Sequence, residues 1–359
     1  MTIFQMMGSH GCEYVTACCD EATKLRAFIA ISNTSMGPAL AGLRMWNYGS
    51  EEEALLDALR LARDMALRTA VSGCDLSGGS IVIWGNHKVH KSEALLRALG
   101  RFIESLEGRL IATTELGTSC EDLECVCRET EYAVNLPLIG SMSGEEGLAT
   151  AWGVYYGIMA CVKEIFKLTT LKDLKVGVQG AGRVGRNLIE LIKKREPGVQ
   201  LSISDIDYDR MKIIQDCHPD IKIVSPEEIL QKEYDIFIPC ALGGIITPEV
   251  ASALRCRMIA GAATCVLSDA SAADVLHGKG ILFAPDFVIN AGGVLQAEDE
   301  ITGRGAMQGE ESYRKIARNL VGIVSQAREE DSSPYRVALR LARERIENIS
   351  RVSHILAVR

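Results

Sequence analysis

A short glycine-rich segment constrains this chain of 359 residues more than any other feature. In KVGVQGAGRVGRNLIELI, a run typical of a buried strand leads through Gly180, Gly182 and Gly185 into a run typical of a helix. Gly180 would allow a tight turn, Gly182 the close approach of a pyrophosphate, and Gly185 the packing of the helix on its strand. The free N–H groups that begin the helix would bind the phosphates.

An acidic residue at the expected distance completes this pattern. Asp205 lies in SISDID, about 20 residues after Gly185. Its carboxylate would accept hydrogen bonds from ribose hydroxyls and repel a 2′-phosphate, so the pattern favours NAD over NADP. The alternative is a structural turn in another α/β fold. Further cofactor contacts are expected from residues near the turn, after the second strand and in later loops, namely Arg183, Val184, Ile206, Cys240, Ala241 and Ala262.

The order of apolar runs predicts an α/β fold with two domains. In the second half, six strand-like runs alternate with helical ones, which is typical of a doubly wound parallel sheet. These runs are Lys175–Gln179, Leu201–Ser204, Ile221–Val224, Ile236–Pro239, Met258–Gly261 and Ile281–Ala284. The first part mixes strands and helices, including a helix opened by a capping box of Ser50 and Glu53. We predict domains at 1–145 and 146–330, with a helix in 331–359 that packs back on the first domain.

Charge and hydropathy exclude several classes of protein. The net charge is −8, and no segment supplies the basic stripe of a nucleic-acid-binding protein. No apolar stretch reaches the roughly 20 residues that a membrane helix needs. The first residues, MTIFQMMGSHGCEYV, lack the pattern of a signal peptide. We therefore expect a soluble cytoplasmic protein.

The cysteines and histidines do not predict a metal site. The 12 cysteines are scattered and form no CxxC pair, and we interpret them as reduced thiols. His87 and His90 flank Lys88 in a polar stretch that is typical of a solvated loop.

Six further segments occur in a fixed order: GPALAGLRMW (37–46), TELGTS (114–119), LATAWGVYYG (148–157), PCALGG (239–244), IAGAAT (259–264) and APDFVINAGGV (284–294). With the glycine turn, they resemble the Glu/Leu/Phe/Val dehydrogenase family, its leucine dehydrogenases in particular, over nearly the whole chain. The resemblance implies an N-terminal substrate-binding and oligomerisation domain, a C-terminal NAD-binding Rossmann domain, a cleft between them and a homo-oligomer. It implies oxidative deamination of an amino acid, with Thr150 and Asn290 near the nicotinamide.

The resemblance also locates three departures at the catalytic positions. In the family one lysine binds the substrate carboxylate, a second activates water, and an aspartate carries protons to and from the amine. The corresponding residues here are Arg68, Ser80 and Glu115, and no lysine occurs between Leu25 and His87. Arg68 keeps a cation with a fork suited to a carboxylate, and Glu115 keeps a carboxylate on a longer arm. Ser80 cannot take over the acid–base role of a lysine, a loss that typically costs about 10²–10⁴ in rate.

The substrate pocket implied by the resemblance departs from the family as well. Ala41 replaces a glycine, Thr113 brings a hydroxyl where the branched-chain enzymes have a small apolar residue, and Thr264 and Cys265 replace an Asn-rich turn. The full set implied for the pocket is Leu40, Ala41, Met65, Thr113, Thr264, Cys265 and Val294. Cys265 is either a functional thiol or a buried spectator, and Cys240 is interpreted as packing.

Three functional hypotheses follow from these departures. The first is an NAD-dependent enzyme that transfers a hydride to or from an amino-acid-like or imine substrate, with weak or absent oxidative deamination. The second is a catalytically silent relative that binds or regulates. The third is a non-redox enzyme that uses the altered site. The complete cofactor pattern favours the first hypothesis.

Overall fold

The computed structural model describes residues 2–134, 147–303 and 309–356. Within these ranges the chain divides into two compact units. The first unit contains residues 2–134, 296–303 and 342–356, and the second contains residues 147–295 and 309–341. The domain boundary predicted at residues 145 and 146 lies outside the described residues, as do residues 357–359 of the predicted C-terminal helix.

The first unit is built on a five-stranded mixed sheet. Its elements are α1 (Ile3–His10), β1 (Tyr14–Asp20), β2 (Leu25–Ile31), β3 (Ala39–Trp46), α2 (Glu51–Ser72), β4 (Ser77–Trp84), α3 (Glu93–Glu104), β5 (Leu110–Thr114) and α4 (Cys120–Val126). The strands lie in the order β1-β2-β4-β3-β5. The pairs β1–β2 and β2–β4 are antiparallel, whereas β3 runs parallel to β4 and β5. The carboxyl ends of β3, β4 and β5 therefore lie at the same edge of the sheet.

Helix α2 covers one face of this sheet. The Ser50 hydroxyl accepts a hydrogen bond from the Glu53 N–H at 3.2 Å, as predicted. The reciprocal half of the predicted capping box is wrong, because the Glu53 carboxylate accepts from the Gly49 N–H at 2.8 Å. This carboxylate still satisfies a donor next to the helix start, one residue further out. The helix lies close to β4, since a Cβ on Gly78 would come within 2.1 Å of the Ala66 nitrogen.

The two faces of the sheet carry separate hydrophobic cores. On the α2 face, Phe28 and Ala30 of β2 and Val82 of β4 pack with the helix. On the opposite face, Leu43 and Ile81 belong to a core that includes residues of α3. Because successive strand residues point to opposite faces, the even-numbered residues of β3 and β4 face α2.

The second unit contains a six-stranded parallel sheet. The remaining elements of the chain are α5 (Leu148–Phe166), β6 (Lys175–Gln179), α6 (Arg183–Arg195), β7 (Gln200–Ser204), α7 (Tyr208–Cys217), β8 (Lys222–Ile223), α8 (Pro226–Ile229), β9 (Ile236–Pro239), α9 (Pro248–Ala253), β10 (Met258–Ile259), α10 (Ala270–Gly278), β11 (Leu282–Phe283), α11 (Asp286–Ile289), α12 (Gly292–Ile301), α13 (Gly309–Glu329) and α14 (Pro334–Leu356). The residues of α12 and α14 are divided between the two units.

The strand order of this sheet is β11-β10-β9-β6-β7-β8. All of its ladders are parallel, and the order reverses direction between β6 and β9. In such doubly wound sheets, ligands bind at the carboxyl ends of the strands next to this switch point. The predicted two-domain α/β fold with a doubly wound parallel sheet in its second part is confirmed.

Three of the predicted strands are longer in the sequence pattern than in the fold. β8, β10 and β11 have two residues each, where four were predicted. The apolar runs continue into loop residues that are also buried, such as Ala260 and Ala284. Burial therefore extends beyond the sheet ladder, and hydrophobicity alone overestimates strand length. Within the three described ranges, no helix is long and apolar enough to cross a membrane.

Candidate active site

Each glycine of the turn in the second unit meets a different environment. Gly180 has a φ of +104°, and a Cβ there would come within 2.6 Å of the backbone at Cys240 and Ala241. A Cβ on Gly185 would come within 2.0 Å of the Gly180 carbonyl oxygen, so α6 packs directly on the end of β6. A Cβ on Gly182, in contrast, would meet nothing within 4 Å among the described residues. Packing therefore requires two of the glycines, while the third faces open space.

Helix α6 begins at this open space. Gly182 is the N-cap residue and, having no side chain, provides no side-chain cap for the first turn. The first N–H groups of a helix have no partner within the helix and carry the positive end of its dipole. The start of α6 is thus suited to an anion such as a phosphate.

The carboxylate of Asp205 is held in place by backbone donors. Its Oδ2 accepts from the Ala181 N–H at 2.6 Å, which links the end of β7 to the glycine turn. Its Oδ1 accepts from the Asp207 N–H at 2.9 Å. Each carboxylate oxygen has a further lone pair, so the group is oriented and can still accept hydrogen bonds from a ligand.

The other residues predicted for the cofactor differ in accessibility. Ile206 is 94% exposed, and Arg183 and Ala241 are exposed as well. Val184 is half-buried. The Cys240 thiol is desolvated, and burial raises its pKa to about 12. Cys240 is half-buried, and its Cβ lies 3.3 Å from a Cβ placed on Gly185, so the residue lies against the turn with a thiol that forms little thiolate.

Asn290 presents an acceptor that no described residue uses. The residue is 4% exposed, and its Nδ2 donates to the carbonyls of Ala262 and Ala263 at 3.3 and 3.5 Å. Its Oδ1 is buried and has no partner among the described residues. Unsatisfied buried oxygens are costly, and a ligand donor would satisfy this one. Thr150 is half-buried at the start of α5, where its hydroxyl lies 3.3 Å from a Cβ placed on Gly293.

The loop after β10 contains a strained residue. Cys265 has a φ of +53°, in the left-handed region that non-glycine residues seldom adopt. A Cβ on Gly243 would come within 2.1 Å of the Thr264 carbonyl oxygen, so the loops after β9 and β10 are in close contact. Both Thr264 and Cys265 are half-buried, and Val294 of α12 is buried.

Ser80 of the first unit is bonded to the backbone of α2. The residue is 1% exposed, and its hydroxyl donates to the Ala58 carbonyl at 2.6 Å. In the sheet, Ser80 pairs with Gly42 of β3, and Gly42 pairs with Thr113 of β5. These three residues therefore form one row across three strands, on the α2 face.

Glu115, just after β5, forms a two-pronged ion pair with Arg44 of β3. The Arg44 Nε donates to Glu115 Oε2 at 2.6 Å, and Nη2 donates to Oε1 at 2.8 Å. The Leu116 N–H donates to the same Oε2 at 2.5 Å. A Cβ on Gly42 would come within 3.0 Å of Glu115 Cγ, so the glutamate side chain lies over the strand at this glycine.

Three more side chains extend this ion pair into a network. Asp57 of α2 accepts from Arg44 Nη1 at 2.8 Å, from the Tyr48 hydroxyl at 2.6 Å and from Arg60 Nη2 at 2.6 Å. Burial alone would raise the pKa of Asp57, but the charges of Arg44 and Arg60 and the Tyr48 hydrogen bond lower it overall. Burial and the bond to Asp57 raise the pKa of Tyr48. These hydrogen bonds therefore link two guanidinium groups, two carboxylates and one phenol.

The remaining substrate-site predictions fall on both faces of the sheet. Leu40 and Thr113 are buried on the α2 face, in register with β4 and β3 respectively. Met65 and Arg68 are half-buried on α2. Ala41 lies on the opposite face, in the core that includes residues of α3, and the structure does not bring it together with Ser80. The alternation of side chains along β3 explains this separation.

Sequence reasoning missed the residues that hold Glu115. Arg44 is a cation within the otherwise apolar run GPALAGLRMW, and its side chain is 13% exposed. A buried charge requires a partner, so this pattern was a usable signal. The identity of the partner was not readable, because Glu115 is 71 residues away in sequence.

Comparisons with known proteins identify the family of this chain. It matches the model of the Glu/Leu/Phe/Val dehydrogenase dimerisation domain over residues 14–132, and that of Glutamate/Leucine/Phenylalanine/Valine dehydrogenase over residues 202–353. The leucine dehydrogenase of Geobacillus stearothermophilus is 40% identical over 351 residues, which cover 97% of this chain and 94% of that protein. The chain belongs to the Glu/Leu/Phe/Val dehydrogenase family.

Other members of the Glu/Leu/Phe/Val dehydrogenase family agree over similar lengths. The leucine dehydrogenase of Bacillus subtilis is 38% identical over 353 residues, which cover 98% of this chain and 96% of that protein. The crystal structure of L-tryptophan dehydrogenase from Nostoc punctiforme matches with a TM-score of 0.78 and 35% identity, covering 97% of this chain and 100% of that one. The family resemblance is confirmed, and the chain is an amino-acid-dehydrogenase-like oxidoreductase. Among its described residues, no group of three or more His, Cys, Asp or Glu could hold a metal ion.

Proposed function

We propose that this family member binds NAD and transfers a hydride to or from an amino-acid-like or imine substrate, with weak or absent oxidative deamination. The observation that carries this proposal is a contrast between two sets of residues. The dinucleotide turn and Asp205 follow the family pattern, whereas Arg68, Ser80 and Glu115 stand where the family resemblance expects two lysines and an aspartate.

Binding of NAD is supported by the geometry of the second unit. The open space at Gly182, the start of α6 next to it and the Oδ1 of Asn290, which has no partner among the described residues, fit a dinucleotide with a carboxamide. Asp205 would accept hydrogen bonds from the ribose hydroxyls, and its charge would oppose a 2′-phosphate. NAD is therefore proposed rather than NADP.

The altered chemistry is supported by what Ser80 does in the first unit. Its hydroxyl is bonded to the Ala58 carbonyl, and a serine carries neither the charge nor the acid–base capacity of a lysine. Arg68 keeps a cation that suits a substrate carboxylate. A substrate could therefore still be anchored, while the activation of water would lack its usual group.

Reduction of a preformed imine is the reaction that best suits such a site. Its carbon–nitrogen bond is kept in the product, so no water has to be activated at position 80 and no ammonia has to be released. When bound, NADH supplies the hydride, and solvent supplies the proton that the product nitrogen takes. The substrate class proposed is thus an imine that carries a carboxylate.

A silent or non-redox role is the second candidate. It is favoured by the ion pair of Glu115 with Arg44, which engages both oxygens of the carboxylate at the family's proton-carrying position. Under this alternative the chain would keep the fold and bind a ligand without transferring a hydride.

We also propose a cytoplasmic homo-oligomer. The matched dimerisation-domain model begins at residue 14, the first residue of the edge strand β1. None of the 12 cysteines, all of which lie in the described ranges, forms a disulfide, which is typical of a reducing compartment.

The proposed reaction is tested by comparing two assays on the purified full chain. Oxidation of leucine or phenylalanine with NAD should fall far below the about 10 s⁻¹ that is common for enzymes. Reduction of a cyclic imine carboxylic acid with NADH, followed at 340 nm, should be measurable under the same conditions. Ordinary deamination at about 10 s⁻¹ would contradict the proposal. NADH binding without either reaction would favour the silent alternative.

A further inference from the structure

We propose that Arg44 is a positioning residue that fixes the Glu115 carboxylate in an ion-pair network, so that Glu115 does not carry protons in this site. The inference rests on the proposed function, which places Glu115 at the position of the family's aspartate. It goes further by assigning the loss of chemistry to two residues, Ser80 and Glu115, rather than to the missing lysine alone.

The first step of the argument is the geometry of the ion pair. Arg44 donates to both carboxylate oxygens of Glu115, at 2.6 and 2.8 Å. Planar guanidinium–carboxylate pairs of this kind are among the strongest hydrogen-bonded pairs in proteins. The Leu116 N–H adds a donor to Oε2. A proton-carrying carboxylate must turn one oxygen towards its substrate, and here that motion would break a charge-assisted bond.

The second step is the charge balance around Arg44. Its third nitrogen, Nη1, donates to Asp57, which also binds Arg60. These bonds join two guanidinium groups to two carboxylates. The side chains of Arg44, Asp57 and Glu115 are 13%, 10% and 27% exposed, so water compensates poorly for a lost partner.

The third step links this network to position 80. Ser80 pairs with Gly42, and the Glu115 side chain lies over Gly42. A lysine at position 80 would therefore introduce a further cation next to a carboxylate that Arg44 already pairs. It would compete with Arg44 for Glu115 instead of acting beside a free carboxylate. Restoring the lysine should consequently fail to restore deamination while Glu115 stays paired.

The experiment compares Ser80→Lys, Glu115→Asp and the double variant in NAD-dependent oxidation of leucine and phenylalanine. Aspartate is one methylene shorter, so it cannot keep both bonds to Arg44 from the same backbone position. Ser80→Lys alone should change kcat by less than about 3-fold, and Glu115→Asp alone should give no gain. The double variant should exceed Ser80→Lys by at least about tenfold, the low side of a general acid–base contribution. The rate of the double variant should also fall as the pH is lowered into the acidic range, and the rate of Ser80→Lys should not.

Two outcomes of this comparison would overturn the inference. One is ordinary deamination by Ser80→Lys with Glu115 unchanged. The other is a double variant that folds and binds NADH but gains no more than the single variant. Calorimetry of NADH with the parent protein tests the proposed function separately, because the ion pair lies in the first unit and the residues proposed to bind the cofactor lie in the second.

A second measurement applies if lysine at the buried position 80 prevents folding. Arg44→Met, Glu115→Gln and their combination leave Ser80 unchanged, and their denaturation midpoints form a double-mutant cycle. We expect Glu115→Gln to shift the midpoint of Arg44→Met by less than half as much as it shifts the midpoint of the parent protein. Additive shifts would show that the two side chains are not coupled, and would overturn the inference.

Discussion

At the scale of single residues, Asp205 should decide between the two dinucleotides. Its carboxylate is oriented by the N–H groups of Ala181 and Asp207 and retains free lone pairs. We expect the parent protein to bind NADH at least about tenfold more tightly than NADPH, a difference of about 1.4 kcal/mol. Asp205→Ala should narrow this ratio, because it removes both the ribose acceptor and the repulsion of a 2′-phosphate. Isothermal calorimetry with NADH and with NADPH measures this ratio of affinities in the parent protein and the variant.

The matched control for this substitution is Asp209→Ala. Asp209 is exposed in the first turn of α7 and should leave the ratio unchanged. Asp205→Asn is a useful second variant, because it keeps an acceptor for the turn while removing the charge. Equal affinities for NADH and NADPH in the parent protein would refute the role given to Asp205.

Residues differ in how far the sequence reveals their surroundings. The conformations of Gly180 and Gly185 could be predicted, because a local turn and a local helix–strand contact impose them. The pairing of Arg44 with Glu115 could not, because it depends on the parallel alignment of β3 with β5 across 71 residues. Sequence spacing predicts contacts within a supersecondary unit, whereas contacts across a sheet require its strand order.

At the scale of elements, the ion-pair network links α2 to β3 through the bond between Asp57 and Arg44. The folded-state pKa of Asp57 is lowered, so its contribution to stability is complete above its unfolded pKa of about 3.9 and is lost as pH falls through the folded pKa. Asp57→Asn should lower the free energy of unfolding by about 3 kcal/mol at pH 6. The gap between parent and variant should narrow below about pH 4. Denaturant titrations at several pH values test both expectations.

A conservative change elsewhere on the same helix provides the comparison. Glu52→Gln alters an exposed carboxylate in the first turn of α2 and should cost less than about 1 kcal/mol. A gap between parent and Asp57→Asn that stays constant from pH 6 to pH 3 would mean that the Asp57 carboxylate is not linked to folding.

The start of a helix could be predicted from the sequence where a capping side chain marks it. Ser50 caps α2, and the Arg336 N–H donates to Ser333 at the start of α14, so both starts follow from side-chain caps. The two-residue strands β10 and β11 were overestimated, because a buried loop and a buried strand have the same hydrophobicity. Ladder pairing, which separates them, depends on neighbouring strands rather than on the run itself.

At the scale of the whole molecule, the first sheet leaves one antiparallel edge strand open to assembly. β1 pairs with β2 on one side and is the terminal strand of the sheet among the described residues. Such an edge presents unpaired backbone groups to another chain. Its residues fall within the part of the chain that matches the dimerisation-domain model.

Pairing of β1 with a second copy should therefore make the protein an oligomer. Light scattering at micromolar concentration should give a mass of at least twice the 39.0 kDa of one chain. Ala17 is exposed on β1, and Ala17→Lys should shift the mass towards 39.0 kDa, because a charge on an edge strand opposes pairing with another edge. Ala22→Lys makes the same change in the exposed turn after β1 and should leave the mass unaltered. A monomeric parent protein would exclude assembly, and an oligomer that tolerates Ala17→Lys would place the interface elsewhere than β1.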